Sequence, residues 1–118
     1  MKKKIEKWIG FKFESSTGLT PEFASFSKEI KQYIKGEIGT RFELVKWSRG
    51  HFYFSSFVQN KETEKYAYFS CSDVRAFADE WFNNLLVRTA KNEKDYTGGK
   101  NNFCKLTELT EKIERLTR

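Results

Sequence analysis

Two runs of alternating aromatic residues, joined through a four-residue polar loop, constrain this chain more than any other feature. His51, Phe52, Tyr53, Phe54, Ser55, Ser56, Phe57 and Val58 come first. Asn60, Lys61, Glu62 and Thr63 intervene, and Tyr66, Ala67, Tyr68, Phe69, Ser70 and Cys71 follow. Aromatic and β-branched residues at a period of two read as an antiparallel hairpin, with strands at about 51–59 and 64–71. Register matters here, because a slip of one residue exchanges the two faces. A four-residue loop at 60–63 sets Phe54 opposite Phe69 and Tyr53 opposite Ser70. A three-residue turn at 48–50, where Gly50 is free to take positive φ, adds a strand at about 41–47. Phe42 and Leu44 then join Phe52, Phe54, Val58, Ala67 and Phe69 on one face, the expected core. Val45, Trp47, His51, Tyr53, Ser55, Phe57, Tyr66 and Tyr68 occupy the other. A two-residue turn reverses the faces of the first strand, and this alternative stays open.

Helical patterns flank the hairpin. Thr20 and Pro21 form an N-cap and first helical position. Phe23, Phe26, Ile30, Tyr33, Ile34 and Ile38 then recur at helical spacing, with Lys28, Lys31 and Lys35 opposite, until Gly36 or Gly39 ends the run. Ser72 and Asp73 are read as the cap of a second helix carrying Val74, Phe77, Ala78, Trp81, Phe82, Leu85 and Leu86. Leu106, Leu109, Ile113 and Leu116 give a last amphipathic helix. Trp8, Ile9, Phe11 and Phe13 suggest a weak first strand, with Gly10 as a bulge or kink, and 14–19 a turn. Residues 88–103 are polar and basic and form a long loop. The expectation is one α+β domain over 1–118. Its three- or four-stranded antiparallel sheet carries helices on one face, in the order strand, helix, three strands, two helices.

Composition narrows the functions. The 118 residues carry a formal net charge of +6, which favours an anionic partner such as nucleic acid or an acidic protein surface. The aromatic content, 17%, is too high for a disordered chain. Cys71, Cys104 and the lone His51 are too few for a disulfide scaffold or a four-ligand metal site, so no metal and no cofactor are expected. A reducing cytoplasm is the expected compartment. No apolar run is long enough for a membrane span, and the basic start at Lys2, Lys3 and Lys4 leads into no signal-like apolar core.

No catalytic constellation stands out. No signature joins His51 to a nucleophile. Asp73, Asp79 and Glu80 read as a cap and a solvated flank rather than paired acid and base. Gly98, Gly99 and Lys100 lack the strand and the hydroxyl residue of a Walker loop, although their amides, with Arg88 and Lys100, are candidates to hold an anion. The sheet face is the better candidate. Aromatics on a sheet stack single-stranded bases while cations hold the phosphates. The candidate contact residues are Trp47, Arg49, His51, Tyr53, Tyr66 and Tyr68, with Arg88, Lys91, Lys94 and Lys100 from the basic loop; Arg41 and Lys65 add nearby charge. The expected function is non-enzymatic binding of nucleic acid. The alternative, on the same surface, is a protein-binding inhibitor, since Tyr, Trp and Arg also dominate protein interfaces.

The helix–strand–strand–strand–helix order at 20–86 resembles the double-stranded RNA-binding domain. That family grips phosphates with a basic cluster at the start of its last helix, where this chain has Ser72, Asp73, Val74, Arg75 and Ala76. In size and lysine content, with the segments at 88–91 and 95–99, the chain also resembles small accessory proteins of phages and conjugative elements. That resemblance implies a mobile-element factor, including anti-CRISPR-type inhibitors of a host nuclease or defence complex.

Overall fold

In a computed structural model the described residues are 3–13, 21–75 and 80–118. Helix α1 (Lys3–Glu6) is followed by α2 (Pro21–Ile38). Strands β1 (Phe42–Arg49), β2 (Phe54–Asn60), β3 (Tyr66–Cys71), β4 (Leu85–Ala90) and β5 (Asn102–Cys104) follow, and α3 (Leu109–Leu116) comes last. The strands form one antiparallel sheet in sequence order, so every strand pairs with its neighbour in the chain. The α+β class and the single helix-covered face are as the sequence implies.

The apolar stripe of α2 buries Phe23, Phe26, Ile30, Tyr33, Ile34 and Ile38. Gly39, at φ 68°, stops the helix, as a residue without Cβ can. On the sheet, Phe42, Phe54, Val58, Ala67, Phe69, Cys71, Leu85, Val87 and Cys104 face that stripe, together with Leu109 and Ile113 of α3.

The hairpin register differs by two residues from the expected one. Phe54 lies opposite Cys71 and Ser56 opposite Phe69. The turn starts one residue later because the Asn60 side chain builds it: its Oδ1 accepts the N–H of Glu62 at 2.9 Å and of Thr63 at 3.2 Å. A shift of two is one full side-chain period, so the faces are unchanged.

Three element assignments are corrected. No strand forms at 8–13. Trp8, Phe11 and Phe13 instead gather as an aromatic cluster on Phe23 and Phe26 of α2, and Gly10 sits at φ 76° in the turn between them. The helix expected through Leu86 gives way to a 3-10 turn (Trp81–Asn83) and strand β4. Leu85 and Val87 point into the core while Leu86 and Arg88 face the other way, so a run that fits both periods is settled by the open edge of β3. The helix–strand–strand–strand–helix order at 20–86 ends there in a strand. Lastly, the loop at 88–103 contributes the end of β4 and all of β5. The expected Thr20 cap, the turn at 14–19, and Phe77, Ala78 and Asp79 lie outside the described residues.

Candidate nucleic-acid interface

Among the described residues no helix lies over the outer face of the sheet, which is arranged in rows across the strands. Glu43, Gln59, Tyr66 and Ala90 form one row, and Val45, Phe57, Tyr68 and Arg88 the next. Ser48, Ser55, Ser70, Leu86 and Phe103 form the third. Tyr66 and Tyr68 therefore share a face, as the alternation implies.

Trp47 does not join them. The β1–β2 register breaks between Val45 and Ser48, where Lys46 adopts φ 63°. This bulge inserts one residue and reverses the alternation beyond it. Trp47 turns to the helix side, stacks on Phe54 at 5.4 Å and donates its indole N–H to Ser27 of α2 at 2.9 Å. The Val45 carbonyl at the bulge accepts a hydrogen bond from Ser56 Oγ at 3.2 Å. Lys46 is left on the outer side, its Nζ 5.5 Å from the Tyr96 ring centroid.

Tyr96 is there because the 91–101 segment folds back over the sheet. Its ring meets Phe57 at 5.0 Å and Tyr68 at 6.0 Å, both edge-on, and it remains 52% exposed. Two contacts hold the segment in place. Arg88 donates to the Asp95 carbonyl at 2.7 Å and the Thr89 carbonyl at 3.0 Å, with its guanidinium 4.5 Å from the Tyr68 ring. The Asp95 carboxylate accepts the Lys91 N–H at 2.9 Å and the Thr97 N–H at 3.3 Å. These amides, Lys91 first, together with that of Gly98 and the charge of Arg88, hold the Asp95 carboxyl below its ordinary range. Gly99, at φ 76°, lies so close to Thr89 that a Cβ would fall 2.5 Å from the Thr89 carbonyl oxygen.

This geometry redistributes the expected site. Arg88 is only 4% exposed and clamps the loop, so it is not a surface cation. The amides around Gly98 serve the chain's own Asp95 rather than an external anion. Tyr66 is half-buried, and desolvation, then Glu93, which accepts its phenol hydrogen, then Glu43 and Glu64 raise its pKa. That corner of the face is acidic. His51 and Tyr53 lie at the opposite end, beyond the start of β2. His51 Nε2 is 3.1 Å from an Arg75 nitrogen, and the Tyr53 ring covers Gly50. Arg49 is exposed at the end of β1, across from Phe54. Tyr68, Tyr96 and Lys46 come together, and Lys91, Lys94 and Lys100 are exposed along the folded-back segment that carries Tyr96. Sequence reasoning missed Lys46 and Tyr96. Lys46 carries no signal, since a bulge has no fixed residue type on a lysine; Tyr96 stood out only as part of a glycine-bearing loop.

Burial pushes the Cys71 thiol up to about 12 and the Cys104 thiol up to about 11, so neither is a thiolate nucleophile at neutral pH. Among the described residues no three His, Cys, Asp or Glu side chains cluster as a metal site would require, and no helix is long and apolar enough to cross a membrane. Comparison with protein-family models, curated proteins and solved structures finds no match.

Proposed function

We propose that the chain is a non-enzymatic binding protein whose outer sheet face takes single-stranded nucleic acid. The observation that carries this reading is the half-exposed Tyr96 ring, braced on Phe57 and Tyr68 and flanked by Lys46. A base stacks on the free ring, and Lys46, Lys91, Lys94 and Lys100 neutralise the adjoining phosphates. The net charge of +6 supports the same partner. Two unpaired cysteines support a reducing, cytoplasmic setting. A role as an accessory factor of a mobile element is supported by the resemblance in size and lysine content.

Titration of labelled single-stranded and duplex oligonucleotides over a salt series tests this. Affinity for single strands should fall with log salt at a slope of about −0.7 per neutralised phosphate, and Lys46→Ala should reduce the slope by about that amount. Tyr96→Ala should weaken binding by about 1–3 kcal/mol with the circular dichroism unchanged. Absence of binding at low salt sinks the reading.

One observation favours a second, the protein-binding inhibitor of a nuclease or defence complex. Phe103 is 58% exposed beside Leu86 on the same face, and an aliphatic and an aromatic side by side make the apolar anchor of a protein interface. Leu86→Ala, which removes an aliphatic side chain that bases do not stack on, should leave oligonucleotide affinity unchanged if nucleic acid is the partner.

A further inference from the structure

We propose that the free edge of β1 and the end of α2 form a second site, separate from the outer face, that takes an extended acidic peptide by strand addition. Strand β1 is the first of the sheet, so among the described residues one side of it is unpaired. Lys61 N–H donates to the Arg41 carbonyl at 3.0 Å, which fixes the direction of the backbone there. Alternate residues of an antiparallel ladder turn both backbone groups the same way. Arg41, Glu43 and Val45 thus face β2, and the N–H and C=O groups of Phe42 and Leu44 face the open edge. Between that edge and the last turns of α2 runs an open groove of about 490 Å³. Ile38, Phe42 and Leu44 give it an apolar floor, and the two cations Lys35 and Lys61 line it beside one carboxylate, that of Glu43. Strand addition needs these parts: free backbone groups, and pockets for alternate side chains.

Gly36 is the independent sign. It lies within α2, where glycine is less stable than alanine. A Cβ at Gly36 would meet nothing within 4 Å, so the chain's own packing does not require glycine there. The residue keeps the helix wall of the groove low, as a strand lying beside it needs.

Charge decides the occupant. A second copy of this chain would bring its own Arg41, Lys35 and Lys61 against these, and the chain is already at +6. The bulge at Lys46 also ends the regular ladder at Val45, leaving a short pairing window that a peptide can use and a full edge-to-edge dimer cannot. Carboxylates of a peptide meet Lys35 and Lys61 while its alternate apolar side chains enter the floor.

The test uses the intact protein and three fluorescein-labelled probes: an octapeptide of alternating valine and glutamate, its lysine counterpart, and oligothymidine. Anisotropy should show saturable binding of the glutamate peptide alone at this site, with amide shifts at Gly36, Phe42 and Leu44 by NMR. Gly36→Leu should be at least as stable as the parent yet bind the peptide about tenfold more weakly or worse. Lys35→Glu with Lys61→Glu should abolish binding. The proposal is overturned by no saturable binding up to about 1 mM, by equal binding of the lysine peptide, or by shifts confined to the outer face. It is also overturned if only oligothymidine moves these amides, or if sedimentation shows a dimer through β1. Oligothymidine binding at Tyr96 concerns the other site and leaves these outcomes separable.

Discussion

Asn60 shows how much one side chain can decide. It is buried, and its Nδ2 reaches the Thr117 carbonyl at 3.3 Å and Thr117 Oγ1 at 3.2 Å while its Oδ1 builds the β2–β3 turn. Thr63 Oγ1 adds a bond of 2.6 Å to the same carbonyl, so the hairpin tip is tied to the end of α3. Removing the Asn60 amide breaks four hydrogen bonds, two of them to the buried Thr117, and empties a buried polar site at the hairpin tip. Asn60→Ala should therefore lower stability by about 2–3 kcal/mol in urea denaturation, whereas the exposed neighbour Lys61→Ala should stay within about 0.5 kcal/mol. That Asn60 belongs to a turn is legible from its residue type. Its bond to a residue 57 positions away is not, since nothing local marks the partner. Phe52 makes the same point: a buried Phe at φ 60°, beneath the Arg75 guanidinium at 4.0 Å, is a conformation only its surroundings enforce.

At the scale of elements, the bulge in β1 does most to shape the candidate site. It sends Trp47 to α2 and leaves Lys46 beside Tyr96, reversing the faces that strict alternation assigns. Deleting Lys46 should restore regular pairing, with Trp47 directly opposite Ser56 and still on the helix side. Tryptophan emission should therefore stay unshifted, while the salt slope of single-strand binding falls by about 0.7 because the cation beside Tyr96 is gone. A red shift in emission would mean that the bulge itself holds Trp47 in place. Strand β4 carries a related lesson. Residues 85–88 fit a helix stripe and an alternating strand alike, and the unpaired groups along β3 made the choice. The folded-back segment at 91–101 was legible as a long polar loop. Its position over Tyr68 was not, because it depends on Arg88 and Asp95 gripping backbone that is adjacent only after folding.

For the whole molecule, a core on one sheet face sets the response to pH. Burial raises the Cys71 thiol from 9.0 to about 12 and the Cys104 thiol to about 11. Burial, with Glu37 beside it, raises Tyr33 as well. A raised pKa means the folded state keeps its proton longer than the unfolded chain. Above pH 9 the unfolded chain therefore binds fewer protons, and stability falls as pH rises towards the folded values. Urea denaturation between about pH 8 and pH 11 should show this decline. Cys71→Ala, less stable at neutral pH for its lost packing, should decline less steeply, so that the gap to the parent narrows. A gap independent of pH would rule out the thiol as a contributor.

The sequence by itself determined the α+β class, the helix at Pro21–Ile38, the aromatic hairpin with Tyr66 and Tyr68 on one face, and the last amphipathic helix. Each rests on a local period, 3.6 or 2, that survives a shift of one whole period in register. Only the tertiary structure decided the bulge at Lys46, the strand in place of a helix at Leu85–Ala90, and which cations are free. Arg88 and Lys46 are equally charged in the sequence; one is buried beneath Tyr68 and the loop, and the other stands in the open beside Tyr96. Those outcomes follow from contacts between segments distant along the chain, where packing and hydrogen-bond satisfaction outweigh local preference.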